Sequence, residues 1–554
     1  MRPRGSCPVT SRHGVGKLIE ALPANQESLA HQARASASAI TSWSTLTLAC
    51  LVIVAGSIRF WNLSSLGFSH WDEYYFITNA QILDNHGLIS GFSQTGWFTA
   101  PFVSYTDAVL FRFLGFHTWI AISVSALYGT AGVVALYFLG SRMFGAFAGL
   151  LAAGILATSE YSVMFSRMAL ADATFDFWLI LSVTFIWLGF TERRLRYYVA
   201  AGVAAGIVIN TKLNGAFPLL FVIAWLGLEL IVDAVASGKQ FRSILSEYRV
   251  RLLGSVVAIG IAVALFTPFL LKVAHDPGLS AMLAHNSEAA GWSSLIRTPP
   301  FTIVWYFWVF TSPPVVLMAG VGLVVGLLRF TRADRFMLVY TAGWFCAVML
   351  FLPIPREALS LLPAVAIWAA RGVVELWSIA SRARPAVPRF ALVAVGGVCL
   401  VGAIVFQLSQ LPQLLSLRTE GYADAATVAA QLQSDGGTVF VRAQACALLY
   451  LESGYVWLDD NAVTARLLAD KGSSAYLMTD QMVSWDPMLE RFFALNKDHL
   501  AVIEKVRNPM YPELFLQSAT PDRFSYVTNP PDYYRYITFW RVTATLTFPP
   551  DWPE

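Results

Sequence analysis

Two adjacent carboxylates carry the first suggestion of chemistry in this chain. The stretch His70-Trp71-Asp72-Glu73-Tyr74-Tyr75-Phe76 sets Asp72 and Glu73 side by side among aromatic rings, ahead of an amphipathic run to His86. An ionised carboxylate relieves a hydroxyl of its proton as that oxygen attacks carbon, and a positioned base contributes about 10² to 10⁴ in rate. The same pair also suits a helix cap, because acidic side chains favour a helix N-terminus. On residue chemistry alone both readings stay open.

Three further stretches add charge in apolar surroundings. Phe165-Ser166-Arg167-Met168-Ala169-Leu170-Ala171-Asp172 is followed by Asp176, so Asp172 and Asp176 stand at i and i+4 and share one helix face. An ionisable residue in such a helix is a functional candidate by default, while an Arg167 to Asp172 ion pair would merely neutralise both. Asn210-Thr211-Lys212-Leu213-Asn214-Gly215 breaks two apolar runs, and Pro353-Ile354-Pro355-Arg356-Glu357 precedes a helix containing Leu361-Leu362-Pro363. Arginine binds phosphate bidentately and lysine does so as a point charge. Singly, each cation reads as an interfacial anchor; as a set converging with the carboxylates on one face, they favour a phosphate site.

The elements that position these residues follow from composition. Of 554 residues, 56% are hydrophobic and only 13% charged, about half the charged share of an average soluble domain. A membrane crossing takes about 20 apolar residues. Such runs fall near 44–60, 116–140, 144–163, 168–190, 197–210, 213–232, 252–273, 303–328, 336–352, 358–378 and 390–408, about eleven spans. With the N-terminus inside, the inner loops hold fourteen basic residues. The outer ones hold Arg112, Arg167, Lys212, Arg297 and Arg356, with Lys272 at an edge. That asymmetry predicts a multi-pass cell-membrane protein with a cytoplasmic N-terminus and an extracytoplasmic C-terminus. The segment 197–214 is short for a span and is expected to be tilted or broken.

Residues 1–42 are rich in Ser, Ala, Gln and Arg without apolar periodicity and read as a disordered cytoplasmic tail. The helical membrane domain then runs over 43–410, with a first outer loop at 61–114, and a small α/β domain follows at 411–554. In that last domain, strand-like runs (Thr438 to Arg442, Ala475 to Met478, Leu500 to Val506, Tyr534 to Val542) alternate with helical patterns (Ala423 to Leu432, Ala462 to Leu468, Met488 to Leu495). Cys50, Cys346 and Cys399 sit in apolar runs, so no disulfide or zinc framework is readable. A net charge of +3 with scattered basic clusters argues against nucleic acid, and no nucleotide-binding glycine loop is present.

At Trp71-Asp72-Glu73-Tyr74-Tyr75, Ser166-Arg167-Met168 through Asp172, Thr211-Lys212-Leu213-Asn214-Gly215 and Arg356 with Leu362-Pro363, the sequence resembles the GT-C glycosyltransferases of family 39. That family includes protein O-mannosyltransferases and aminoarabinose transferases acting on lipid A. The resemblance covers roughly residues 45 to 380. It implies a GT-C membrane fold and an inverting transfer from a polyprenyl-phosphate-linked sugar donor to a protein, lipid or glycan acceptor on the outer face. By resemblance, Asp72 is the base, Glu73 positions the acceptor, and Asp172 orients Arg167 or a sugar hydroxyl. Arg167, Lys212 and Arg356 then face the carrier phosphate, with Asn214, Tyr74 and Tyr75 completing the substrate site. No metal-ligand cluster accompanies these residues, so no cofactor is expected to be obligatory, and a divalent metal near Asp72 and Glu73 stays open. The alternative is a polytopic secondary transporter, which usually shows repeated halves with midplane charges; no second copy of the Trp-Asp-Glu stretch exists.

Overall fold

The structure is a computed structural model that describes residues 43–93, 100–237, 241–275, 300–351, 355–382, 386–416, 421–443, 445–451, 453–459, 461–507 and 535–552. The tail 1–42 and most of the stretch between the spans expected at 252–273 and 303–328 therefore lie outside the described residues. The chain divides into two compact units, Met1–Cys50 and Leu51–Glu554. The first contributes only the helical residues 43–50, and everything below concerns the second.

The molecule is polytopic and α-helical, as its composition requires. Seven helices among the described residues are long and apolar enough to cross a membrane, and five shorter apolar helices accompany them. Several expected spans are redrawn where polar or turn residues interrupt the apolar run. The span expected at 303–328 is two helices, Phe301–Phe310 and Pro313–Arg329, because Ser312 caps the second by accepting from the Val315 N–H at 3.3 Å and proline occupies its first turn. The run at 144–163 is likewise split into Ala146–Thr158 and Glu160–Phe165. The short segment at 197–210 ends at Ile209, and a tight turn over Leu213–Ala216 leads into Phe217–Ser237. The loop 61–114 holds two helices of its own, Trp71–His86 and Phe102–Leu114.

Packing among the helices relies on two devices. Rings of three helices meet around Phe336, whose centroid lies 4.9 Å from Phe221, 5.0 Å from Trp225 and 5.1 Å from Trp187, each near edge-to-face. Elsewhere the backbones themselves touch. A Cβ on Gly322 would stand 1.9 Å from the Trp368 carbonyl oxygen, and one on Gly372 would stand 2.3 Å from that of Met318. Only glycine lets Pro313–Arg329 cross Leu362–Arg382 this closely, the small-residue packing that serves where lipid removes the hydrophobic drive.

The C-terminal module is a five-stranded mixed sheet of order β2-β1-β3-β5-β4. β1 (Thr438–Arg442), β2 (Val456–Trp457) and β3 (Ala475–Thr479) are parallel, with Phe440 opposite Val456 and Leu477. β5 (Tyr536–Val542) runs antiparallel to β3 and to β4 (Leu500–Arg507), where a bulge falls between Val502 and Glu504. Side-chain alternation gives the sheet two buried faces. Phe440, Ala475 and Leu477 pack on the module's own helices, in a cluster with Leu489, Phe492 and Trp552. Val439, Val441, Met478, Ile537 and Phe539 face the other way and join the core shared with the membrane helices. The module thus bears on the helices beneath it. At that junction the Tyr450 hydroxyl accepts the Phe68 N–H at 2.7 Å, two residues before the stretch that opens at His70.

Candidate active site

The start of Trp71–His86 decides how its two acids divide their work. His70 is the N-cap: its Nδ1 accepts the Asp72 N–H at 3.1 Å. Burial, outweighing the neighbouring Asp72, brings its imidazole down to about 4, so it is neutral and free to accept. Glu73 closes a capping box and is fully buried. Its Oε2 accepts the N–H groups of Ser69 (2.6 Å) and His70 (2.7 Å), and its Oε1 accepts that of Ala169 (2.7 Å). Burial pushes this carboxyl up to about 7 despite three donors. Glu73, expected beside the acceptor, is found tying the first loop to the turn before Asp172. The cap reading therefore holds for Glu73. Asp72, its neighbour, points the other way and stays one-third exposed at 33%.

Arg167 is also found in the scaffold. Its Nη1 donates to the carbonyls of Ile58 (3.2 Å), Arg59 (3.3 Å) and Trp61 (2.6 Å), satisfying the end of the first span. Arg59, which hydropathy reading passes over, does the reciprocal task, donating to the Leu156 and Ala157 carbonyls at 3.0 Å each and to Ser162 Oγ at 2.9 Å. The expected partnership of Arg167 with Asp172 is replaced by a different one.

Asp172 opens the helix Asp172–Glu192 and is almost wholly buried. Lys212 Nζ donates to its Oδ1 at 2.7 Å, and Arg356 Nε lies 2.9 and 3.1 Å from its two oxygens. Arg356 Nη1 reaches across to Asp72 Oδ2. Lys212 also donates to Glu357 Oε1 at 3.0 Å, while Asn214 Nδ2 donates to Glu357 Oε2 at 2.6 Å. The chain Asp72, Arg356, Asp172, Lys212, Glu357, Asn214 is thus one continuous network drawn from four distant segments. Although burial works against its charge, Asp172 and Glu357 raise Lys212, and the ring of Phe175 lies 5.6 Å beneath it. Asp176 shares the face of Asp172 but keeps one oxygen buried without a hydrogen-bond partner among the described residues.

Aromatic residues flank the acid end. Trp71 and Tyr75 centroids lie 6.3 Å apart, and Tyr74 meets Tyr75 edge-on at 5.4 Å. Partial burial and the adjacent Tyr74 both raise the phenol of Tyr455, so the C-terminal module borders this end of the site. On the other flank, beside the Lys212 segment, lies an apolar cavity of about 430 Å³ lined by Phe92, Phe102, Tyr105, Ile207, Asn210 and Phe269 among others. The Phe102 N–H donates to the Asn210 carbonyl at 2.7 Å, which fixes the cavity wall to the residue two before Lys212.

The arrangement can hold an anion. Among the described residues no group of three or more His, Cys, Asp or Glu is placed to hold a metal ion, and the acids of the network are engaged by Arg356 and Lys212. Glu357 is the member that sequence reasoning missed. Its signal was its place directly after Arg356, in a chain with few charges to spare.

Residues 99–271 match the family described as dolichyl-phosphate-mannose-protein mannosyltransferase; that stretch holds Asp172, Lys212 and Asn214 but neither Asp72 nor Arg356. A relative from Bacillus subtilis (strain 168), named "Putative mannosyltransferase YycA", is 29% identical over 161 residues, 28% of this chain. The matched stretch spans 23% of that relative's length. Among solved structures, ArnT from Cupriavidus metallidurans bound to undecaprenyl phosphate covers 92% of this chain and 99% of its own, with a TM-score of 0.56 at 16% identity. The apo oligosaccharyltransferase of Archaeoglobus fulgidus covers 80% of this chain and 70% of its own, with a TM-score of 0.56 at 12% identity. The transporter alternative draws no support from these matches. The chain thus shares its fold with these membrane glycosyltransferases, and its residues 99–271 are similar to the mannosyltransferase family.

Proposed function

We propose that this protein is a membrane glycosyltransferase that takes a sugar from a polyprenyl-phosphate carrier and passes it to a protein, lipid or glycan hydroxyl. The observation that carries the reading is the joint placement of Asp72, Arg356, Asp172 and Lys212 in one network, beside an apolar cavity. A lipid-linked sugar phosphate needs those three things together: a base for the acceptor, cations for the departing phosphate, and a hydrocarbon slot for the prenyl chain. The bound undecaprenyl phosphate of the ArnT structure supports the choice of carrier class.

The mechanism is an inverting displacement. The acceptor oxygen attacks the anomeric carbon while Asp72 takes its proton. The bond from that carbon to the phosphate oxygen breaks, and the electron pair leaves with the phosphate. Arg356 and Lys212 stabilise the charge that develops there, which is where fixed cations contribute most. Asp172 holds both cations in place. Tyr74 and Tyr75 present an aromatic wall to acceptor or sugar. Glu73 and Arg167 act from behind, fixing the loop and the turn that carry the reacting groups. The donor set of the network suits an anion, so the reading needs no metal. The excess of basic residues at the other helix ends supports an extracytoplasmic site.

The test is turnover. Purified protein in nanodiscs, given polyprenyl-phosphate mannose and a panel of other polyprenyl-phosphate sugars, is expected to release polyprenyl phosphate with at least one of them when membrane-extract acceptors are supplied. Absence of release with every donor, from protein shown to be folded, would refute the assignment.

A further inference from the structure

Both cations of the site are already paired with carboxylates, and that fact constrains how a phosphate gets in. Arg356 is gripped by Asp172 through Nε and by Asp72 through Nη1, while Lys212 lies between Asp172 and Glu357. Three carboxylates thus face two cations. An incoming phosphate adds more negative charge and must take the place of one acid, since like charges sharing so small a site repel.

The three acids differ in how firmly they are held. Asp172 is 2% exposed and binds both cations. Glu357 is 15% exposed and spends one oxygen on Lys212 and the other on Asn214. Asp72 is 33% exposed, and its one ion pair among the described residues is with Arg356. It therefore gives up least on separating and has water at hand to solvate it.

Resting on the transferase reading above, we propose that the carrier phosphate enters by taking from Asp72 its end of Arg356, and that Glu357 is the positioning residue that keeps Lys212 and Asn214 in place while it does so. The exchange has a chemical result. While paired, Asp72 is a poor base, because Arg356 and His70 outweigh the effect of burial and hold its carboxyl at about 2. Donor binding lifts that restraint, so the base becomes effective only once there is a sugar to transfer. Glu357 never touches the reacting atoms; its part is to prevent Lys212 from collapsing wholly onto Asp172.

The experiment measures binding of undecaprenyl phosphate to full-length protein in nanodiscs. Asp72→Asn removes the competitor and is expected to bind several-fold more tightly than wild type, with Asp72→Ser behaving alike. Glu357→Gln is expected to bind on the order of tenfold more weakly, the usual cost of losing a charged hydrogen-bond partner. In turnover that loss falls on the KM for donor rather than on kcat, with partial recovery in Glu357→Asp. Asp72→Asn binding no tighter than wild type overturns entry by displacement yet leaves the transferase reading standing. A Glu357→Gln variant with unchanged donor affinity, or one losing kcat alone, overturns the positioning role. Wild type that binds no undecaprenyl phosphate at all sinks both this proposal and the reading it rests on.

Discussion

The molecule carries ion networks at both ends of its helix bundle, and their contrast shows what separates a staple from a site. Glu229 lies near the far end of Asn214–Ser237 from Asn214, and Glu375 near the far end of Arg356–Ser381 from Arg356, a separation of roughly 20 to 30 Å at the rise of an α-helix. There Glu229 accepts from Arg332 Nε at 2.8 Å and Arg335 Nε at 2.6 Å. Arg371 joins Asp334 and Glu375 at 3.3 Å each, and Arg329 meets Glu375 as well. In that network Glu229 and Asp334 are sealed in at 0% exposure, with Arg335 and Arg371 enclosed beside them, while Arg332 and Arg329 reach toward water at 41% and 44% and Asp233 stands near the surface with Arg332. At the site neither cation reaches out to water: Arg356 and Lys212 are enclosed with the buried Asp172, and an acid, Asp72, stands at the mouth. A buried acid with outward arginines anchors helix ends and attracts nothing new. Buried cations behind a displaceable acid are a seat for an anion.

Asp72 is the residue at which the two networks differ most. Replacing it with asparagine is expected to lower sugar transfer by about 10² to 10⁴, the usual worth of a positioned base, with no change in thermal stability, as read by polyprenyl phosphate release and melting temperature. Arg356→Lys keeps the charge but cannot bridge Asp72 and Asp172 as a guanidinium does; a loss of roughly 10- to 100-fold in kcat/KM for donor is expected from steady-state kinetics. Glu229→Gln tests the other end. It is expected to cost about 1 to 3 kcal/mol of stability, the price of leaving buried charged groups half-satisfied, while transfer per folded molecule stays at the wild-type level. Loss of activity without loss of stability in Glu229→Gln would mean that the two networks are not different in kind.

The fold was readable because hydropathy and alternation are local. Thr438–Arg442 emerges with the bounds its residues predict, and Ala475, Leu500 and Val542 mark strand ends as expected. The two-residue strand Val456–Trp457 escaped notice because it is held by its register against Phe440 and Val441, not by a pattern of its own. At the site, residue types told which groups were reactive but not which way they pointed. Asp72 and Glu73 are neighbours of like chemistry, and the Ala169 N–H, 96 residues away, joins the local capping box in assigning Glu73 to the scaffold. Arg167 was misplaced for the same reason: the carbonyls it satisfies belong to the end of another helix. Charge pairing across 145 residues, as between Lys212 and Glu357, is not written in either local stretch, even where the residue itself stands out.

The smallest expected effect bears on how the two states of Asp72 differ. A base must be ionised to act, so transfer rises as pH rises through its pKa and is flat above it. In the free protein that carboxyl lies at about 2, because Arg356 and then His70 offset the burial that alone would raise it. The acid limb of kcat/KM for donor, which reports the free enzyme, is then expected to fall below the range where most proteins stay folded, leaving that profile level across mildly acidic pH. The profile of kcat reports the donor-bound enzyme, in which, under the proposed displacement, Arg356 turns to the phosphate. Its acid limb is expected to lie higher, nearer the ordinary carboxylate range, and to appear as a decline toward low pH that the other profile lacks. Two coincident limbs would mean that Arg356 stays with Asp72 throughout the cycle, and the mouth of the site would then be a staple like those at the opposite end.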